Sequence, residues 1–201
     1  MEKQKKIVKC VIDEAGDIGI QAMGLVDFPA IEQNWIALSK LKLAAVSTER
    51  RMLYGPALIP DKHILRVNAE TGEEYYVFFD TQTVTALAHQ FFKKNLHHTT
   101  NLQHAIPVSG VTVVESWIKE GPMDKSVELG LADAPNGTWF IGTKVDSDSV
   151  WEQVKQNNIN GYSIEGIFQE VSVNMTKNIY QEKTFEAELF QELDKLLSLM
   201  V

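Results

Sequence analysis

The hexapeptide Gly161-Tyr162-Ser163-Ile164-Glu165-Gly166 carries a hydroxyl in a setting that suits attack on a carbonyl. A serine nucleophile needs access to its substrate and nearby backbone N–H groups to hold an oxyanion. Glycines on both sides let the main chain turn sharply or let a substrate approach closely. The segment is not the Gly-x-Ser-x-Gly elbow, because Gly166 lies three residues beyond the serine. A serine in a strand beside a turn would read the same way.

Such a hydroxyl needs a base. His104, in Asn101-Leu102-Gln103-His104 ahead of an apolar run, sits where a histidine at a strand edge can take a proton at neutral pH. By pattern alone it reads equally as a surface residue. Glu115, in Val113-Val114-Glu115-Ser116-Trp117-Ile118, is a carboxylate in apolar surroundings, costly to bury unless paired. It can orient a histidine, or it can make an ordinary salt bridge.

Other chemistry finds less support. His97-His98 together with His104 could suggest a metal site. Adjacent histidines on an extended chain point in different directions, and no Glu-x-x-His pattern accompanies them. No metal and no organic cofactor are expected. Cys10 is the one cysteine, so an internal disulfide is impossible and a reducing compartment is expected. It reads as a small buried hydrophobe rather than a nucleophile. There is no phosphate-binding glycine loop and no dinucleotide fingerprint.

The 201 residues carry a net charge of −8, which argues against sequence-independent nucleic-acid binding and against docking on anionic membranes. Hydrophobic residues make up 44%, ordinary for a globular chain. No signal peptide or membrane span is read, and a cytoplasmic product is expected.

The elements that must position these residues are mostly strands. Residues 7–12 and 19–26 have strand character. Ile64–Val67 and Tyr75–Phe79 flank a Thr71-Gly72 turn and predict a hairpin. Val84, Leu87, Ala88, Phe91 and Phe92 recur at helical spacing, with Asp80 or Thr81 as cap. Strands are predicted at 105–108, 111–118, 138–145 and 162–173, with a short helix from 148 or 149 to 156. Closely spaced strands with short turns favour antiparallel pairing. The expected fold is therefore mixed and mainly antiparallel β, a barrel or sheet with flanking helices. A last amphipathic helix carries Phe185, Leu189, Phe190, Leu193, Leu196 and Leu197 on one side. A break near residue 175 divides a domain over 1–175 from a tail over 176–201.

In order and wording, several segments resemble the XkdF-like phage prohead serine proteases. They include Leu25-Val26-Asp27-Phe28-Pro29-Ala30-Ile31, Tyr54-Gly55-Pro56-Ala57-Leu58-Ile59-Pro60, Asn101-Leu102-Gln103-His104, Val114-Glu115-Ser116-Trp117, Gly137-Thr138-Trp139 and Gly161-Tyr162-Ser163-Ile164-Glu165-Gly166. The resemblance covers about residues 20–168. It implies an antiparallel β-barrel like that of the herpesvirus assemblins. It also implies a serine endopeptidase that works inside the immature phage head, in the host cytoplasm. Its substrates would be scaffold and major capsid proteins and the enzyme itself.

Carried over by motif, Ser163 is the nucleophile and His104 the base. Glu115 is the expected third member. Glu170 is the alternative, disfavoured because an odd offset from Ser163 on an unbroken strand puts the two on opposite faces. The oxyanion donors are expected near Glu165-Gly166. The tail is expected to be separable by self-cleavage or to form an oligomer contact. Two rival readings remain: a non-catalytic phage structural or scaffold-fusion protein with this fold, and an unrelated small-molecule serine hydrolase.

Overall fold

The computed structural model describes residues 5–13, 18–27, 44–47 and 50–172. Phe28-Pro29-Ala30-Ile31, the division near residue 175 and the tail helix lie outside the described residues.

The order is β1 (Lys6–Val11), β2 (Gly19–Val26), β3 (Ala44–Ser47), β4 (Met52–Leu58), β5 (Ile64–Val67), β6 (Glu74–Phe78), α1 (Thr81–Lys93), a 3-10 turn (Leu96–His98), β7 (Thr100–Leu102), β8 (Ile106–Val108), β9 (Val111–Ile118), α2 (Lys125–Glu128), β10 (Trp139–Val145), α3 (Asp148–Lys155), β11 (Gly161–Ile167) and β12 (Gln169–Ser172). The chain is mainly β with few helices, as expected.

The barrel is corrected. Among the described residues the strands form three open four-stranded sheets, ordered β12-β1-β6-β5, β3-β4-β10-β9 and β11-β2-β7-β8. Two of these sheets are mixed, because β1 pairs parallel with β6 and β2 parallel with β7. The short-turn argument holds for neighbours in sequence, such as the antiparallel β5–β6 and β7–β8 hairpins. It fails for β1 and β2, whose parallel partners come only after long crossovers, the second containing α1.

The strand expected over 162–173 is broken. It leaves one sheet after Ile167 and joins another at Gln169. Phe168, at the crossing, packs edge-on against Phe79 with ring centres 5.0 Å apart.

Asp80 caps α1 by accepting from the Thr83 N–H at 2.9 Å. Val84, Leu87, Ala88 and Phe91 are buried, whereas Phe92 at the edge of the stripe is exposed. Phe91 meets Trp139 of β10, and residues from all three sheets share one core around Leu25, Leu53, Val77, Trp139 and Ile141. Burying such side chains contributes about 1.5–3 kcal/mol each before entropy is counted.

One polar clamp ties α1 to β2. Gln90, only 8% exposed, accepts from the Ile20 N–H at 2.9 Å and donates to the Ile18 carbonyl at 3.0 Å. Gly19 has φ +132, and an added Cβ there would lie 2.0 Å from the Gln90 amide oxygen. Replacing Gln90 with leucine keeps the bulk but strands two backbone groups. Gln90→Leu is expected to cost about 2 kcal/mol of unfolding free energy. Urea denaturation followed by tryptophan fluorescence measures it, and an unchanged midpoint would show that water replaces the clamp.

Candidate active site

Ser163, Gly24 and Asn101 form one row across three strands. Ser163 of β11 is registered with Gly24 of β2, and Gly24 with Asn101 of β7. Strands stand about 4.8 Å apart, so a whole strand separates Ser163 from β7. His104 bridges that gap. It lies in the β7–β8 turn, and its Nε2 is 2.9 Å from Ser163 Oγ.

The turn that delivers the ring is unusual. The Ala105 N–H donates to the Leu102 carbonyl at 3.0 Å, and the two residues between, Gln103 and His104, have φ of 54 and 56. Two positive φ values are the pattern of a type I′ turn, normally built from Asn or Gly. Each non-glycine residue there costs roughly 1–2 kcal/mol. The side chain of Asn101 offsets part of this, its Oδ1 accepting from the His104 backbone N–H at 3.0 Å.

Gly24 makes room for the ring. A Cβ on it would lie 2.8 Å from His104 Cε1 and 3.0 Å from Nδ1. The requirement is for space and not for backbone conformation. Glycine inside a strand often marks such a close approach.

Glu165 completes the group. Two residues after Ser163, it shares the serine's face of β11, and the register shift comes only after it. Its Oε2 accepts from Asn101 Nδ2 at 2.8 Å and lies 3.6 Å from His104 Nδ1. The second distance is too long for a hydrogen bond, but it places the carboxylate on the Nδ1 side of the ring. A carboxylate on this side favours the tautomer with the proton on Nδ1. That leaves the Nε2 lone pair to accept from the serine hydroxyl.

Ser163 is buried, only 4% exposed, and not the exposed hydroxyl that a nucleophile calls for, but it lines a solvent-accessible cleft of about 440 Å³. Cys10 lies on its floor, buried, with burial and then the charge of Glu170 pushing the thiol up to about 11. The thiol is therefore protonated at neutral pH and serves as packing, in line with its reading as a buried hydrophobe.

The structure does not bring Glu115 to this group. Glu115 lies on β9 in another sheet, opposite Gly142. Its carboxylate accepts from the Tyr54 hydroxyl and pairs with Lys125, whose ammonium sits 4.5 Å from the Tyr54 ring centre and 5.2 Å from that of Trp117. Burial pushes the carboxyl up, but the hydrogen bonds from Lys125 and Tyr54 outweigh it and hold it below the usual glutamate range. The physical reason for the mismatch is sheet membership, which a strand's own pattern does not carry.

Glu170 does line the cleft with Ser163. The parity argument against it assumed an unbroken strand, and the strand is broken at Phe168. Its Oε1 accepts from the Tyr75 hydroxyl at 2.9 Å. His97 and His98 lie on the 3-10 turn, where the His97 ring stacks on Phe92. Among the described residues no cluster of three or more His, Cys, Asp or Glu forms.

Sequence reasoning missed Glu165, Gly24 and Asn101. The even offset from Ser163 was the available signal for Glu165, and a glycine within a hydrophobic strand was the signal for Gly24. Asn101 gave none beyond standing three residues before His104.

A hydroxyl, an imidazole and a carboxylate in this order form the constellation of a serine hydrolase. The family described as "Putative phage serine protease XkdF" matches residues 40–172, and the chain belongs to that family. It is 30% identical over 151 residues to the uncharacterized protein YqbD of Bacillus subtilis (strain 168), a match covering 75% of this chain and 42% of that protein. It is 28% identical over 138 residues to the phage-like element PBSX protein XkdF of the same organism, covering 69% of this chain and 41% of that protein. The chain thus spans about two fifths of the length of the curated relatives it matches. No solved structure matches it.

Gly24→Ala is expected to fold, since its backbone is ordinary, but to push the imidazole off Ser163. A displacement of about 1 Å lowers turnover on the order of 100-fold. Measuring turnover beside thermal stability tests this, and a fully active, stable Gly24→Ala protein would show that the ring has another seat.

Proposed function

We propose that this chain is a serine endopeptidase of phage head maturation, cutting scaffold and major capsid protein segments, and itself, inside the immature head. The observation that carries the reading is the 2.9 Å contact between His104 Nε2 and Ser163 Oγ, made by residues distant in sequence. A fold kept only as a structural shell would have no need to hold a histidine in a strained turn over a glycine. The cleft is open and of mixed lining, which favours an extended peptide over a small molecule. Ser163 lies on β11 at the edge of its sheet, where a substrate strand has access to backbone groups. The His-before-Ser order supports the kinship with the assemblins, now with open sheets in place of a barrel.

The chemistry is acyl transfer. His104 Nε2 takes the Ser163 proton as Oγ attacks the peptide carbonyl. Glu165 stabilises the imidazolium that forms, and Asn101 holds both Glu165 and the His104 backbone in place. Backbone N–H groups at Glu165–Gly166, where the β2–β11 register shifts beside the cleft, are the proposed oxyanion donors. His104 then protonates the leaving amine, and water releases the acyl group.

The test is incubation of wild type, Ser163→Ala, Glu165→Gln and Glu115→Gln proteins with the cognate scaffold and capsid proteins, read by mass spectrometry. Ser163→Ala is expected to abolish cleavage, and Glu165→Gln to slow it by about 100-fold or more. Glu115→Gln should act on stability instead. Cleavage that survives Ser163→Ala would refute the nucleophile. Cleavage lost in Glu115→Gln but kept in Glu165→Gln would reverse the two carboxylates.

A further inference from the structure

The cleft beside Ser163 has two walls from different sheets. One is β11 itself, which carries the reacting groups. The other comes from the β12-β1-β6-β5 sheet and Phe168, and nothing in the acyl-transfer chemistry uses it. Tyr75 and Val77 of β6, with Phe79 just beyond its end, alternate onto one face, and Cys10 joins them from β1. Val77, Phe79 and Cys10 are buried, so they form a closed apolar floor. Glu170 stands on β12, exposed along with the whole of that strand, with its carboxylate fixed by the Tyr75 hydroxyl. The sequence of features is an apolar trough leading to a positioned carboxylate.

We propose that this wall selects a lysine or arginine side chain next to the bond being cut, with Glu170 as the recognising carboxylate. The proposal rests on the peptidase reading above. A basic side chain has an aliphatic stem that packs on apolar surface while its head reaches a polar rim, which fits this trough.

Arg66 on β5 also borders the cleft, so the sign of the field has to be settled. At Cys10 and Tyr75, two groups of the lining that feel both charges, Glu170 outweighs Arg66. The Cys10 thiol is raised first by burial and then by Glu170, with Arg66 opposing more weakly. The Tyr75 hydroxyl is likewise raised by burial and then by Glu170, again ahead of the opposing Arg66. Glu165 adds a second carboxylate to the lining, and the chain as a whole carries −8. An acidic side chain would meet this field unfavourably, and a basic one would be drawn in.

The experiment is digestion of a proteome-derived peptide mixture by full-length wild type, Ser163→Ala, Glu170→Gln and Glu170→Lys proteins, with cleavage sites read by mass spectrometry. Preference is taken as a ratio of basic to uncharged residues within each digest, so a change in overall activity does not alter it. Wild type should favour Lys and Arg beside the cut bond. Glu170→Gln should lower that preference about fivefold, as for loss of a partly exposed ion pair. Glu170→Lys should remove it or favour acidic residues. Ser163-dependent cleavage without a basic preference, or with one that Glu170→Gln leaves intact, overturns the assignment of Glu170 and leaves the peptidase reading standing. Absence of any Ser163-dependent cleavage, here and with the cognate capsid and scaffold proteins, overturns both.

Discussion

Everything at the candidate site depends on a side chain that is missing. β2 runs between the strand that bears Ser163 and the hairpin that bears His104, and Gly24 stands in the row that joins them. Any Cβ at that point would occupy the volume of the imidazole. With hydrogen in its place, His104 passes close over β2 and reaches a serine two strands away. The spacing of the sheet thereby sets the distance between Ser163 and the short turn that carries His104. That spacing matters because the alignment of reacting atoms governs rate steeply.

Holding the ring there has a cost, borne in the β7–β8 turn. Gln103 and His104 both occupy a region of backbone space that suits glycine or asparagine. Strain of this kind persists only where surrounding contacts over-determine it. Asn101 supplies those contacts in two directions, accepting from the His104 N–H and donating to the Glu165 carboxylate. A single amide thus couples the His104 backbone to the Glu165 carboxylate. β2, beneath them, is itself fixed at its start by the Gln90 clamp from α1, so the order runs unbroken from helix to strand to site.

Local features of this fold were legible in the sequence, and pairings distant along the chain were not. The α1 stripe and its Asp80 cap, the β5–β6 hairpin and the bounds of β2 and β9 follow from periodicity and turn residues acting over a few positions. The parallel partners of β1 and β2 do not, because a strand's pattern records that one face is buried and not which neighbour it meets. The same limit governs the third acid. Glu115 is the right type of residue in an apolar strand, but its sheet gives it Lys125 and Tyr54 as company. Glu165 could have been found by applying to it the parity rule applied to Glu170. Two positions along an unbroken stretch put it beside the serine, whereas the rule misled for Glu170 because the chain changes sheets at Phe168.

That change of sheet also divides the lining of the cleft between two sheets. The serine, histidine and acid all belong to the β11-β2-β7-β8 sheet, whose register fixes them relative to one another. The facing wall belongs to β1, β5, β6 and β12 and touches the reacting groups only across the cleft. A substitution at Arg66, Tyr75 or Glu170 therefore alters the lining of the cleft without passing through the Gly24 row or the strained turn. A substitution in that row alters the chemistry for every substrate alike. Phe168, at the crossing from β11 to β12, packs edge-on against the buried Phe79 and so anchors the point where the two linings join.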